Sequence, residues 1–384
     1  MKILAIYFDL GGGVCTIHER LIAVLAEKAT VDILSNRPPK EGATIPNIRA
    51  HYHIPITKKM QSWTRKFIRW FGTMPVAERW SRQAEAMVAK DYDIVMAFCS
   101  SACAQLTTAV CGKYLAGKLG CKFGAYSFDA IPGPRGWTKR RRLYNGKKRV
   151  VRHLFTTADY FAAANKHMLE YQLQTFEPKA GLQTSVLYTT PTSPYHTNPI
   201  SEKNIFLYTG SIYGMRNPDH LLKAFKRLLK EYPDAKLVLV GQIFKLKRIN
   251  NILTPEEQTH IEIHPHTSDL SKYFADAKVL IDMDGDAEKD PFLSSKIASY
   301  LKVNRMIVCE TGSDTPSREL FKGLNTIVQC SHNADSMYEG ILKALQMAAQ
   351  EQDYSERQPL IDLFSIESVG KVFWNDIQKL HASK

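Results

Sequence analysis

The sequence predicts an α/β chain built of two Rossmann-like, doubly wound domains. Three observations carry that prediction. Short apolar runs alternate with amphipathic helical stretches along the whole chain. The alternation breaks once, at the Thr/Ser/Pro-rich segment Thr189 to Pro194, and then restarts. A length of 384 residues suits two domains on the usual scale of roughly 100 to 200 residues each.

The first series opens with the apolar stretch Lys2 to Phe8, read as a strand. One lysine, a short apolar run and then Asp9 fit a first strand better than a signal peptide. Gly11-Gly12-Gly13 follows, then a helix with Ile17, Leu21, Val24 and Leu25 on one stripe, then a strand over Val31 to Leu34. The glycine triplet lacks the GxGxxG spacing, and Ser35-Asn36-Arg37 stands where a dinucleotide site needs an acidic residue, so a nicotinamide enzyme is not indicated. A glycine loop that lets a phosphate or sugar approach backbone N–H groups remains open, as does a plain turn.

Pro38 to Pro75 reads as irregular, ending in a basic and aromatic stretch on a helix. Beyond it come a helix (Glu78 to Ala89), a buried strand (Tyr92 to Phe98), a helix (Ala102 to Leu119) and a strand (Lys122 to Phe128). Asp129 sits at that strand's carboxyl end, where it either faces a ligand crevice or caps the turn Asp129 to Pro134. Ala158 to Ala164 and Thr184 to Tyr188 complete the series.

The second series is anchored by Ile205 to Gly241, which reads strand, loop, helix, strand. Asn217 is the expected N-cap, with Pro218 at the first helical position. Such βαβ units place ligands at the carboxyl ends of their strands, and this rim holds Gly210, Ser211 and Arg216. A glycine for close approach, a small hydroxyl and a cation suit a diphosphate; a turn glycine and a solvated arginine are the plain alternative. Further strands are expected at Ile261 to His264, Val279 to Met283, Met306 to Cys309 and Thr326 to Gln329. Helices are expected near Asp269 to Ala275, Ser294 to Leu301, Ser317 to Lys322 and Ala334 to Ala349, and a last amphipathic helix over Ile366 to Leu380.

Composition narrows the partners. Lys+Arg number 51 against 38 Asp+Glu, a net +13, which calls for an anionic partner. The excess clusters in the first half: Lys58, Lys59, Arg65, Lys66 and Arg69 are interleaved with Trp63, Phe67, Trp70 and Phe71, and a second cluster runs from Lys139 to Arg152. Basic residues mixed with Trp and Phe suit an anionic membrane surface. A solvated basic face with its aromatics in the core is the alternative; nucleic acid has less support, because no recognition motif accompanies the charge. No apolar run reaches the roughly 20 residues of a membrane span. Seven scattered cysteines without a CxxC pair indicate neither zinc nor a disulfide framework and fit a reducing compartment. Asp282, Asp284 and Asp286 invite a metal reading, but Ala287 and Leu293 stand where a calcium loop needs Gly and Glu, so an acidic solvated turn is expected. His264 and His266 flank Pro265 with no third ligand at a useful spacing.

FLYTGSIYGMRNPDHLLKAF, KLVLVG, DLSKYFADAKVLIDM and DPFLSSKIASYLKVNRMIVCETG together resemble the C-terminal domain of family 4 glycosyltransferases of the GT-B architecture. The resemblance implies two Rossmann-like domains facing across a cleft: 1–192 binding the acceptor, 193–363 binding the nucleotide-sugar donor, and 364–384 as a helix returning to the first domain. It implies a retaining, hexosyl-type transferase using a nucleotide-diphosphate sugar on a lipid-linked or surface-polysaccharide acceptor. No cofactor or metal is expected, and the location implied is the cytoplasmic face of a membrane, peripherally bound. Arg216 and Lys296 match the family's catalytic cations on the donor diphosphate. Gly210, Ser211, Ser294 and Ser295 fall among the phosphate-binding positions, with Ser211 in place of the family's usual arginine. Gly241 and Gln242 lie where the base is held, with His264 on the next strand exit, and Gly11, Gly12, Gly13 and Asp129 lie on the acceptor side. The family's E-x7-E pattern is altered: Asp290 or Pro291 stands at its first position and Ser299 at its second. A sugar-nucleotide epimerase on the same architecture, and a non-catalytic anion- or membrane-binding protein, stay open as alternatives.

Overall fold

The continuous apolar runs become the central strands of two parallel sheets, because a strand covered by helices on both faces must be apolar on both. In the computed structural model, which describes residues 1–9, 13–38, 45–191, 201–244 and 246–383 (with side chains from residue 16 onward in the first helix), the first sheet contains β1 (Lys2–Ile6), β2 (Thr30–Ser35), β3 (Ile48–His53), β4 (Ile94–Cys99), β5 (Lys122–Ser127), β6 (Tyr160–Ala163) and β7 (Gln183–Val186). Its strand order is β3-β2-β1-β4-β5-β6-β7. The second contains β8 (Ile205–Thr209), β9 (Lys236–Val240), β10 (Ile261–His264), β11 (Val279–Met283), β12 (Met306–Glu310) and β13 (Ile327–Cys330), in the order β10-β9-β8-β11-β12-β13. Both orders reverse direction after the first strand. The switch points, β1 beside β4 and β8 beside β11, are where doubly wound sheets open a crevice at their carboxyl ends.

Two compact units result: Met1–Tyr188 with Ile366–Lys384, and Thr189–Ser365. The last helix, Ile366–Ala382, lies on the first unit's sheet. Its Phe373 meets Phe98 and Tyr160, Asp376 accepts a hydrogen bond from the Tyr160 hydroxyl (3.3 Å), and Gly370 lets it approach Val24.

Three parts of the chain depart from expectation. The stretch expected to be irregular contains β3, whose sequence IRAHYH is only partly buried at the sheet edge and so shows no apolar run. The second basic cluster forms a helix, Arg141–Val151, that packs on the basic helix Lys58–Phe71. The contact is close: a Cβ on Gly146 would lie 1.9 Å from the Ile68 carbonyl oxygen. Two short helices, Leu246–Ile252 and Pro255–Gln258, intervene between β9 and β10.

The Lys58–Phe71 helix is capped by Thr57, whose hydroxyl accepts from the Met60 N–H, and ends on Gly72 at φ +65°. Its aromatic residues are not in the core: Trp63, Trp70 and Phe71 are exposed. Two guanidinium groups stand over the Trp70 ring, Arg69 at 4.9 Å and Arg142 at 4.6 Å. Among the described residues no helix is long and apolar enough to cross a membrane.

Candidate active site

The site is built where β8 meets β11. β8 ends on Thr209, and Gly210 turns the chain at φ +103° while its N–H donates to the Val240 carbonyl (2.7 Å). Gly241, at φ +146°, comes so close behind it that a Cβ there would sit 2.2 Å from the Gly210 oxygen. Only glycine is compatible with both the φ and the approach. The rim of β8 and β9 is thus made of two backbones in contact, with no side chain between them.

Two cations are held against this turn. Lys296 passes over Gly210, its Cδ lying 3.1 Å from the position a Cβ there would take. Its ammonium bonds Asp282 Oδ1 at 2.9 Å and Ser294 Oγ at 2.7 Å and stands over the Tyr208 ring at 5.0 Å. Arg216, half-buried, donates Nε to the Met283 carbonyl (3.1 Å) and Nη1 to the Ser211 carbonyl (3.4 Å), and its guanidinium faces the Tyr213 ring. It therefore ties the loop after β8 to the end of β11. Burial works against its charge, but Tyr208, Tyr213 and the carboxylates of Asp282 and Asp284 outweigh that and hold its pKa above the usual value. The helix that follows begins one residue later than expected, Asp219–Leu228 with Pro218 and not Asn217 at the N-cap; Asn217 instead accepts the Asp219 N–H on its Oδ1 at 3.2 Å, closing the turn before the helix.

Of the acidic run at the end of β11, Asp286 is exposed as expected, but Asp282 and Asp284 are not in a solvated turn. Asp282 is fully buried, receiving Ser294 Oγ and Lys296 Nζ on Oδ1 while its Oδ2 has no hydrogen-bond partner. Asp284 is buried too and accepts from Thr311 Oγ1 at 2.8 Å; burial first, then the Asp282 charge, pushes its pKa well above the usual carboxylate range. Asp286 turns away to accept from Asn217 Nδ2 at 3.0 Å. Three different partners separate the three carboxylates. Among the described residues, one group could hold a metal ion: His220, Asp286 and His332.

Gly210, Ser211, Arg216, Gly241, Ser294 and Lys296 thus come together. Ser294 is buried and serves Asp282, and its neighbour Ser295 is exposed. The expected helix Ser294 to Leu301 is only Ile297–Tyr300, preceded by a turn. Asp290 is buried in its own loop, where its Oδ1 accepts from the Phe292 N–H. The Gln242 side chain is exposed while its carbonyl accepts from Ile212. The His264 carbonyl accepts from the Gly241 N–H, and its ring leans on Tyr273 at 5.2 Å.

The remaining candidates belong to the first unit. Gly11 and Gly12 lie outside the described residues, and Gly13 is the first residue of the helix Gly13–Ala26. Asp129 Oδ2 accepts from Ser100 Oγ (2.5 Å), Ser101 N (3.1 Å) and Ser101 Oγ (2.9 Å), so it caps the turn after β4 and not the turn that follows it in sequence. Beside it the Lys147 ammonium, almost fully buried, donates to the Ser101 carbonyl, and burial lowers its pKa.

Sequence reasoning missed Asp282 as the partner of Lys296, and Tyr300, whose buried hydroxyl accepts from the Thr209 N–H at 2.8 Å and steadies the end of β8. It also missed two exposed rim aromatics, Tyr213 and Phe244, each one residue past the bridge between Ile212 and Ile243. Their signal was an aromatic residue in the polar loop just past a strand-ending glycine.

Residues 193–282 match a family model described as glycosyl transferases group 1; the match includes the Arg216 loop and stops short of Lys296. By structure, the chain is similar to HepE of Anabaena in complex with UDP-glucose, at 14% identity over 99% of this chain and 100% of that one, with a TM-score of 0.70. It is similar to the lipopolysaccharide outer core galactosyltransferase WaaB at 14% identity over 99% of each chain (TM-score 0.64). A glycosyltransferase from Rickettsia africae gives 14% identity over 100% of this chain and 99% of that one (TM-score 0.62). No curated protein sequence matches. At such identities the likeness shows the fold alone: two Rossmann-like domains of the GT-B class.

Proposed function

We propose that the protein is a glycosyltransferase that uses a nucleotide-diphosphate sugar as donor. The observation that carries this reading is the pair of cations, Arg216 and Lys296, held by buried partners against the Gly210 turn at the topological switch point. In glycosyl transfer the nucleoside diphosphate departs with growing negative charge while the sugar gains oxocarbenium character. Cations fixed before the reaction stabilise that charge in the transition state more than in the ground state. Lys296 has three N–H donors, and Asp282 and Ser294 take two, leaving one for a phosphate oxygen. The match of residues 193–282 and the UDP-glucose complex of HepE support the same donor chemistry and make uridine sugars the first to test.

The finer reading rests on the family 4 resemblance: a hexosyl donor, retention at the anomeric carbon, and no metal on the diphosphate. A lipid-linked or surface-polysaccharide acceptor at the cytoplasmic membrane face is supported by the paired basic helices with Trp63, Trp70 and Phe71 exposed on one of them. The test is release of nucleoside diphosphate from a panel of sugar nucleotides, with and without membrane lipid extract as acceptor. Turnover that needs the extract, and falls about 100-fold or more in Arg216→Ala, supports the reading. No release from any donor contradicts it.

A further inference from the structure

A second polar cluster lies on the rim of the same sheet, one strand over from β11, and glycosyl transfer as proposed makes no use of it. Glu310, the last residue of β12, is buried, and a single oxygen of its carboxylate meets two imidazoles: His220 Nδ1 at 2.5 Å and His332 Nδ1 at 3.2 Å. An ionised carboxylate only accepts hydrogen bonds, so each Nδ1 carries the proton and each Nε2 is left to find another partner. For His332 there is none: its side chain is 7% exposed and Nε2 is buried without a hydrogen bond. His220 and His332 approach with ring centroids 6.5 Å apart. Asp286 completes the group, with one ligand atom from each of the three side chains lying within 4.8 Å of one another.

Two imidazoles whose Nδ1–H groups are fixed by a buried carboxylate, with Nε2 free and a second carboxylate nearby, form the outer and inner shells of a divalent metal site. We propose that His220, His332 and Asp286 bind a divalent transition-metal ion of the zinc class, with Glu310 orienting both imidazoles. Two nitrogens and one oxygen suit zinc, cobalt or nickel rather than calcium or magnesium, which prefer all-oxygen shells. A tetrahedral centre with bonds of about 2.0 to 2.1 Å needs ligand atoms roughly 3.3 Å apart. The three ligand atoms lie within 4.8 Å of one another, so the side chains draw in to close the shell, and the exposed Asp286 and part-exposed His220 have solvent beside them in which to move. The exposed aspartate also gives the ion its way in from solvent.

The ion would join three segments: the start of the helix Asp219–Leu228, the loop after β11, and the turn before the helix Ala334–Ala348. Asp286 already donates its N–H to the Met215 carbonyl (3.0 Å) and accepts from Asn217, so the ion would brace the segment that carries Arg216. The sequence offers no hint of this site, because the Glu310 contacts span 90 residues to His220 and 22 to His332. The competing account is that both imidazoles are protonated and simply neutralise Glu310 and Asp286.

The test is titration of the whole, EDTA-treated protein with Co2+ and then Zn2+, followed by cobalt absorption and calorimetry. The expected result is one Co2+ per chain, displaced by Zn2+, with affinity lowered about 100-fold in His220→Gln and in His332→Gln. Both glutamines can still donate to Glu310, and His381→Gln, at an exposed histidine of the other unit, serves as the control that leaves binding unchanged. In the unmutated protein, nitrogen NMR should show two imidazoles becoming metal-bound at Nε2 while Nδ1 stays protonated, a readout that stands even where a variant folds poorly. Absence of stoichiometric binding, binding that survives both glutamine variants, or imidazoles that stay doubly protonated with zinc present would each overturn the assignment.

Discussion

Replacing Gly241 by alanine tests whether the rim of the second sheet is as tight as the geometry requires. The added Cβ would fall 2.2 Å from Gly210 O and 2.6 Å from Gly210 C, so one of the two backbones must move by about 1 Å to restore ordinary contact. A φ of +146° adds backbone strain of roughly 1 to 3 kcal/mol for an L-residue. Overpacking contributes another 1 to 3 kcal/mol or so, for a combined loss of about 2 to 6 kcal/mol. Gly323 in the same unit separates the two effects: its φ is +86°, but nothing lies within 4 Å of a Cβ there, so Gly323→Ala should show the strain alone. The assay is calorimetric unfolding, because all five tryptophans (Trp63, Trp70, Trp80, Trp137 and Trp374) lie in the other unit. Gly241→Ala should also weaken nucleotide binding, since the atom displaced is the Gly210 carbonyl beneath Lys296. Equal stability of the two variants, with nucleotide binding intact in Gly241→Ala, would refute the contact.

Other positions respond in their own ways. Asp282→Ala strips Lys296 and Ser294 of a buried partner and should destabilise the second unit by about 3 to 5 kcal/mol, while Asp282→Asn, which keeps an acceptor for Ser294, should cost clearly less; calorimetry distinguishes them. His18 is fully buried against Phe98 and Tyr126, and burial, opposed only by the Cys99 backbone, pushes its pKa down to about 3. A base with a depressed folded pKa contributes its full stability above about pH 6.5 and loses it as pH falls toward 3. The first unit should therefore lose roughly 2 kcal/mol from His18 between pH 8 and pH 5, with His153 (down to about 4) adding to the slope. His18→Phe should flatten that dependence in urea melts followed by tryptophan fluorescence; an unchanged slope would mean His18 does not stay neutral in the fold. Gly146→Ala drives a methyl into the Ile68 carbonyl and should separate the two basic helices, seen as earlier loss of the same signal.

The unit from β8 to β9 was legible because its signals are local: an apolar run, a glycine, an Asn-Pro helix start and a second run ending on glycine. β3 was not, because a partly buried edge strand has no need of apolar periodicity. Arg216 and Lys296 could be named from their strings, but not their anchoring, since the Met283 carbonyl and Asp282 reach them only across the switch point. Asp282 was misread for the same reason. A carboxylate following an apolar strand looks solvated until the lysine and serine that neutralise it are folded over it. Gly11 and Gly12 fall outside the described residues, so the expectation placed on that loop stands as an expectation.

The most direct measurement is thermal stabilisation of the protein by UDP, GDP, dTDP and CMP sugars, repeated with Arg216→Ala and Lys296→Ala. One nucleotide class should raise the unfolding temperature by several degrees, and both variants should abolish the shift measured from their own unliganded transitions, which in Lys296→Ala lies lower because buried Asp282 loses its cation. A shift that survives both substitutions, or none with any sugar nucleotide, would contradict a donor site at the Gly210 turn.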